Sequence, residues 1–183
     1  MKYDSPIVVM GLMGSGKSSV ARLLAAALDR SLRDSDPDLA ARYGGRTAAE
    51  TFVLEGADVL HERESRHLRE ALAQTPPAVI AAASVIDSPA DRTALGPALV
   101  VWLDAPANVL AERMRSGEHR PHFEPDLEAM LTTQRARRGP LFAEVADLTF
   151  DVSVTTPEEV VAEVIRSLDE VIRVLEQNTH HDD

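Results

Sequence analysis

Short, unbroken apolar runs alternate along the chain with longer segments whose apolar residues recur every three to four positions. Ile7-Val8-Val9-Met10, Val79-Ile80-Ala81 and Leu99-Val100-Val101-Trp102-Leu103 are the clearest runs, and Leu148-Thr149-Phe150-Asp151-Val152 is a weaker one. Their length, β-branched content and lack of polar alternation predict strands buried on both faces. A further strand is expected to end near Asp34, on the thinner signal of Ser31-Leu32-Arg33. Val20, Leu23, Leu24, Ala27 and Leu28 keep helical spacing after the first run. The last helix is the most explicit. Thr156 can cap it, Pro157 suits its first turn, Glu159 completes a capping box, and Val161, Val164, Ile165, Leu168, Ile172 and Leu175 form one apolar stripe. Strands alternating with helices predict an α/β fold whose parallel sheet is covered on both faces.

The chain has 183 residues, which suits a single domain. We expect that domain over residues 1–177, with 178–183 as a frayed tail. Pro76-Pro77 and Gly96-Pro97 punctuate loops within it. Ser116 to Asp126 holds Gly117, Arg120, Pro121, His122 and Pro125 without helical periodicity, and reads as an exposed mobile loop. The net charge of −11 argues against general binding of nucleic acid or anionic membrane, both of which reward a basic surface. The absence of cysteine excludes a disulfide framework and a Cys-ligated zinc site, and fits a reducing compartment. No run reaches the roughly 18 apolar residues of a membrane-spanning helix, and no leader pattern follows Ile7–Met10, so a soluble cytoplasmic protein is expected.

Gly11-Leu12-Met13-Gly14-Ser15-Gly16-Lys17-Ser18 fits G-x-x-x-x-G-K-[ST], between a predicted strand and a predicted amphipathic helix. Glycines let the backbone turn tightly so that successive N–H groups face phosphate oxygens, and the helix N-terminus adds positive potential. Lys17 can reach the β- and γ-phosphates, and Ser18 offers a hydroxyl to Mg²⁺. A nucleotide site is therefore expected at Gly11, Met13, Gly14, Ser15, Gly16, Lys17, Ser18 and Ser19. Asp34-Ser35-Asp36 follows the second predicted strand. If that segment is extended, both carboxylates point the same way, toward the phosphates. One would then hold a metal-bound water and the other would orient a hydroxyl and accept its proton. The competing reading is an acidic turn in which Asp36 caps a helix ahead of Pro37.

These stretches, with Arg120-Pro121, Arg137-Arg138-Gly139-Pro140-Leu141-Phe142 and Glu144-Val145-Ala146-Asp147, resemble shikimate kinase, in order and spacing, over roughly residues 5–170. The resemblance implies a P-loop kinase with a five-stranded parallel sheet in the order 2-3-1-4-5 and a mobile lid at about 114–126. It implies ATP and Mg²⁺ as cofactors and transfer of the γ-phosphoryl to a small hydroxylated metabolite. The catalytic residues would be Lys17, Asp36 and Arg120, with Ser18 and Asp34 at the metal. Arg113 would lie against the adenine, Arg120 would close over the phosphate, and Arg138 would grip the substrate, in the family a carboxylate. A monomer or weak dimer is implied.

Two positions depart from the family pattern. Leu60-His61 stands where the family has Phe-Arg, and imidazole offers no bidentate fork for a carboxylate. Arg63 is close in sequence but points elsewhere around the helix. Ala81-Ala82-Ala83-Ser84 stands where the family has three glycines, so side chains occupy space beside the acceptor. The acceptor residues would be Asp36, His61, Ala83, Ser84 and Arg138. Arg113 and the run Arg135-Ala136-Arg137-Arg138 also admit a bland reading as solvated basic surface. His119, His122, His180 and His181 are read as exposed, without a metal role, and Trp102 as core. Three functions stay open: shikimate kinase with an unusual acceptor pocket; a kinase for another hydroxylated acid, polyol or cyclitol; and a nucleotide-binding regulator without catalysis.

Overall fold

The structure is a computed structural model and describes residues 4–82, 85–116 and 126–179. Strands β1 (Ile7–Gly11), β2 (Leu32–Asp34), β3 (Val79–Ala81), β4 (Leu99–Asp104) and β5 (Leu148–Asp151) form one parallel sheet in the order β2-β3-β1-β4-β5. This is the expected architecture. Ile7, Val8, Val9 and Met10 of the central strand have no solvent exposure, because strands and helices cover them on every side. In register, Val9 pairs with Ala81 on one side and Val101 on the other, which brings Gly11, Asp34, Ala81, Asp104 and Asp151 to the carboxyl edge of the sheet. Ligands of open α/β sheets bind at that edge.

Helix α1 (Lys17–Leu28) buries Val20, Ala21, Leu24 and Ala25. Leu23 and Ala27, which the spacing placed on the apolar stripe, are exposed. At about 100° per residue the buried face centres on Ala21 and Leu24, and Leu23 falls well outside it. Helix α2 (Ser35–Arg42) begins directly after β2, and α3 (Ala48–Glu55) starts with a Thr47–Glu50 capping box. Helix α4 (Ala57–Leu72) returns toward β3. A 3-10 turn at Val85–Asp87 and the short α5 (Pro89–Ala94) lead into β4. Helix α6 (Ala107–Ser116) and α7 (Leu127–Val145) flank the segment expected as a lid, of which residues 117–125 lie outside the described residues. Trp102 stacks on Phe142 with ring centroids 5.6 Å apart, which ties α7 to β4. Helix α8 (Pro157–Thr179) carries the predicted capping box: Thr156 N–H donates to Glu159 at 2.8 Å, and Glu159 N–H donates to Thr156 Oγ1 at 3.3 Å. It runs to Thr179, and residues 180–183 of the expected tail lie outside the described residues. Among the described residues no helix is long and apolar enough to cross a membrane.

Candidate active site

The loop from Gly11 to Gly16 is shaped by what surrounds it. Gly11 has φ +150°, and a Cβ there would stand 2.4 Å from the Leu103 carbonyl oxygen. Gly14 has φ +80°, and its Cβ would stand 2.9 Å from the Leu110 carbonyl oxygen. The loop is thus wedged between β4 and α6, at spacings only glycine permits. Ser15 N–H donates to Leu12 O at 3.2 Å, and Lys17 Nζ folds back to donate to the same oxygen at 3.1 Å. Met13 packs on the core, Ser18 is half-buried in the first turn of α1, and Ser19 is exposed. Ser15 Oγ is buried without a hydrogen-bond partner among the described residues. Gly16 caps α1, whose first turn holds no acid. A glycine turn opening onto an unopposed helix N-terminus suits a polyphosphate.

Asp34 closes β2 and is buried. It is also the residue that precedes α2, so Asp36 and Pro37 lie inside the first turn and Asp36 is not the cap. The strand-to-helix switch at Ser35 also replaces the extended geometry expected for Asp34-Ser35-Asp36: Asp34 is buried and Asp36 is exposed. The Asp34 side chain makes no capping hydrogen bond, which leaves its carboxylate for another partner. Ser18 hydroxyl and Asp34 carboxylate are hard oxygen donors that suit Mg²⁺ held jointly with phosphates and water. Among the described residues no cluster of three or more acids and histidines forms a metal cage of protein groups alone.

On the acceptor side, α4 presents His61 to solvent and buries Glu64. Burial pushes the Glu64 carboxyl up to about 7; the charge of Asp36 adds to the rise, and Arg138 and Lys17 oppose it. Its Oε2 has no hydrogen-bond partner among the described residues. Arg63 is turned away: it pairs with Glu55 at 2.9 and 2.6 Å and lies 4.0 Å over the Tyr43 ring. From α7, Arg138 reaches the 3-10 turn, where Nε and Nη2 donate to Asp87 Oδ2 at 3.0 and 2.6 Å. Burial works against the charged Asp87 carboxyl, but Arg138, Arg137 and His61 outweigh it and hold the group below its ordinary value. The basic run is therefore not simply a solvated face: Arg135 pairs with Asp104 at 2.6 Å, Arg137 with Asp87 at 2.9 Å, and Arg138 is buried. Arg113 Nη2 donates to Val152 O at 2.5 Å, joining α6 to the carboxyl end of β5.

Arg120, Ala83 and Ser84 lie outside the described residues, as do His119, His122, His180 and His181. Ala82, just before that gap, is buried. Sequence reasoning missed Glu64 and Asp87. Glu64 falls three residues after His61, about one turn further along α4 and turned toward the core. Asp87 follows β3 at the ligand-binding edge, where an acidic residue among apolar neighbours is itself a signal.

The shikimate kinase family profile matches residues 13–169. The chain belongs to the shikimate kinase family. The shikimate kinase of Symbiobacterium thermophilum is 34% identical over 168 residues, covering 90% of this chain and 96% of that protein. The shikimate kinase of Microcystis aeruginosa is 30% identical over 177 residues, covering 96% and 92%. Among solved structures, shikimate kinase from Acinetobacter baumannii in complex with shikimate has the same fold, with a TM-score of 0.83 at 24% identity over 92% of this chain and 95% of that one. Shikimate kinase family membership makes this protein an ATP-dependent kinase that phosphorylates a hydroxyl group.

Proposed function

We propose that this protein moves the γ-phosphoryl of ATP to one hydroxyl of a small polyhydroxylated metabolite bound at the carboxyl edge of β1, β2 and β3. The observation that carries this reading is the glycine-wedged phosphate loop, with Lys17 and Ser18 on it and Asp34 and Asp36 across the same edge. The loop amides and Lys17 hold the β- and γ-phosphates. Ser18 and Asp34 would hold magnesium, which supplies charge neutralisation on those phosphates. Asp36 orients the acceptor hydroxyl and takes its proton as the oxygen bonds to γ-phosphorus. The bond from γ-phosphorus to the β–γ bridging oxygen breaks, and ADP leaves with that oxygen. Arg120 is assigned to the transferring phosphate, Arg113 to the adenine, and Arg138, His61, Ala83 and Ser84 to the acceptor wall. Segment 114–126 is read as the closing lid of one domain, and the protein as a cytoplasmic monomer or weak dimer.

The relatives' names make shikimate the first acceptor to assay. A second reading, a kinase for another hydroxylated acceptor, is favoured by the engagement of Arg138 with Asp87. The test is ADP release from ATP and magnesium with shikimate and with uncharged polyols, against a blank without acceptor and against Lys17→Ala. Acceptor-dependent turnover that disappears in Lys17→Ala is the expected outcome. A protein that binds no ATP, or turns over equally with Lys17→Ala, would sink the phosphotransferase reading.

A further inference from the structure

Five polar side chains, Ser31, Gln74, Arg33, Asp38 and His67, are joined in series behind the segment that carries Asp34 and Asp36. Arg33 Nε donates to Asp38 Oδ2 at 2.9 Å, and His67 Nε2 lies 2.8 Å from the same oxygen. Arg33 Nη1 donates to Gln74 Oε1 at 3.1 Å, and Gln74 Nε2 donates to Ser31 Oγ at 2.5 Å. The series links β2, the first turn of α2, and α4 with the turn that follows it. His67 is buried on α4. An ionised carboxylate only accepts hydrogen bonds, so His67 Nε2 carries the hydrogen and donates it to Asp38. Burial works against the charged Asp38 carboxyl, but the hydrogen bonds from Arg33 and His67 outweigh it and hold the group below its ordinary value.

This series brackets the strand-to-helix turn. Arg33 and Asp38 stand on either side of Asp34, Ser35, Asp36 and Pro37, and their contact closes that turn on itself. Helix α2 has only 8 residues, and its cap Asp34 makes no side-chain capping bond. A helix this short is marginal alone, so tertiary contacts decide where it sits. Burial of Leu39 holds α2 against the core but is non-directional. The Arg42–Glu70 pair at its far end is exposed, and exposed pairs contribute little. The Asp38 bonds are directional and partly dry, and they come from two different elements. They therefore set the rotation of α2 about its own axis. Asp36 projects about 200° around the helix from Asp38, so that rotation sets its direction.

We propose that His67 and Asp38 are positioning residues for phosphoryl transfer: together with Arg33 they fix the rotation of α2 and so aim the Asp36 carboxylate at the acceptor hydroxyl. The inference rests on the role given to Asp36 in the phosphotransferase reading above and adds the groups that hold it there. His67 and Asp38 act through α2 and not on the reacting atoms. A misplacement of about 1 Å at a reacting group costs on the order of a hundredfold in rate, so the contact acts on turnover and not on nucleotide affinity.

The test separates a directional contact from simple packing. His67→Leu keeps an apolar side chain of similar size and removes the donor to Asp38. His67→Gln places an amide nitrogen where it can donate in place of Nε2. With ATP, magnesium and shikimate, His67→Leu should lower kcat about tenfold or more while calorimetric ADP affinity stays within about twofold, and His67→Gln should recover most of the loss. Asp38→Ala should match His67→Leu, and the double variant should be no slower than the slower single one, because both remove the same contact. Amide hydrogen exchange across α2, measured without any acceptor, should quicken in His67→Leu and return toward wild type in His67→Gln. If circular dichroism shows His67→Leu unfolded, Asp38→Ala carries the same comparison, with Asp38→Asn, which keeps an acceptor oxygen, as its conservative partner. A kcat unmoved in the folded variant, a loss that the conservative variant does not recover, or exchange equal in all the proteins overturns the proposal. A wild type without acceptor-dependent turnover, or full turnover in Asp36→Asn, would instead strike the role given to Asp36, and the exchange comparison still reads the contact itself.

Discussion

Glu64 shows how one buried carboxyl can link the site to stability. Its folded-state value of about 7 lies above the ordinary 4.5, first because of burial and second because of Asp36. Between those values the folded protein binds more protons than the unfolded chain, so this group lowers stability as pH rises from about 4.5 to about 7 and adds no further slope above that. Glu64→Gln removes the slope. Relative to wild type it should gain on the order of 3 kcal/mol between pH 4.5 and pH 8, read from urea unfolding of the nucleotide-free protein. Asp38 and Asp87 titrate at lower pH and cancel in the difference between the two proteins. Parallel stability curves would mean that the Glu64 carboxyl is solvated in the folded protein.

Helix termini carry the clearest local instructions. Thr156 and Glu159 exchange hydrogen bonds at the start of α8, which packs Val160, Val161, Val164 and Leu168 into the core. Thr156→Ala removes the side-chain acceptor for the Glu159 amide and should cost about 1 kcal/mol, measured as a shift in the denaturation midpoint with an unchanged slope. ADP affinity measured on the same variant reports separately whether the start of α8 supports nucleotide binding. The same local logic made α8 and the loop-to-α1 junction legible in sequence. It misjudged α1, where Leu23 is exposed, and the Asp34–Asp36 segment, where the strand ends one residue before the helix starts. Spacing names an apolar set, but the neighbours that cover it decide which residues are buried.

At the scale of the whole molecule, the sheet edge gathers residues from distant parts of the chain, so ligand binding should stabilise the fold as a unit. With ADP and magnesium at about 100 times the dissociation constant, linkage adds roughly 2.7 kcal/mol, or a rise of about 5–10 °C in Tm for a chain of this size. Chelation of magnesium should shrink that rise if, as proposed, Ser18 and Asp34 hold the ion together with the phosphates. A rise untouched by chelator would remove Ser18 and Asp34 from a metal role.

The parallel α/β class, the phosphate loop and the capped last helix were determined by the sequence itself. Each depends on residues adjacent in the chain: an apolar run, a glycine spacing, a Thr three residues before a Glu. The glycine loop between β1 and α1 was readable for that reason. The state of the acceptor half was decided only by tertiary structure. Asp87 meets Arg138 across 51 residues of chain, and the buried Glu64 carboxyl feels the charges of Asp36, Lys17 and Arg138, which come from other helices. The charge that an acceptor meets depends on which side chains the fold leaves dry and which partners it gives them, and no spacing within one segment encodes that.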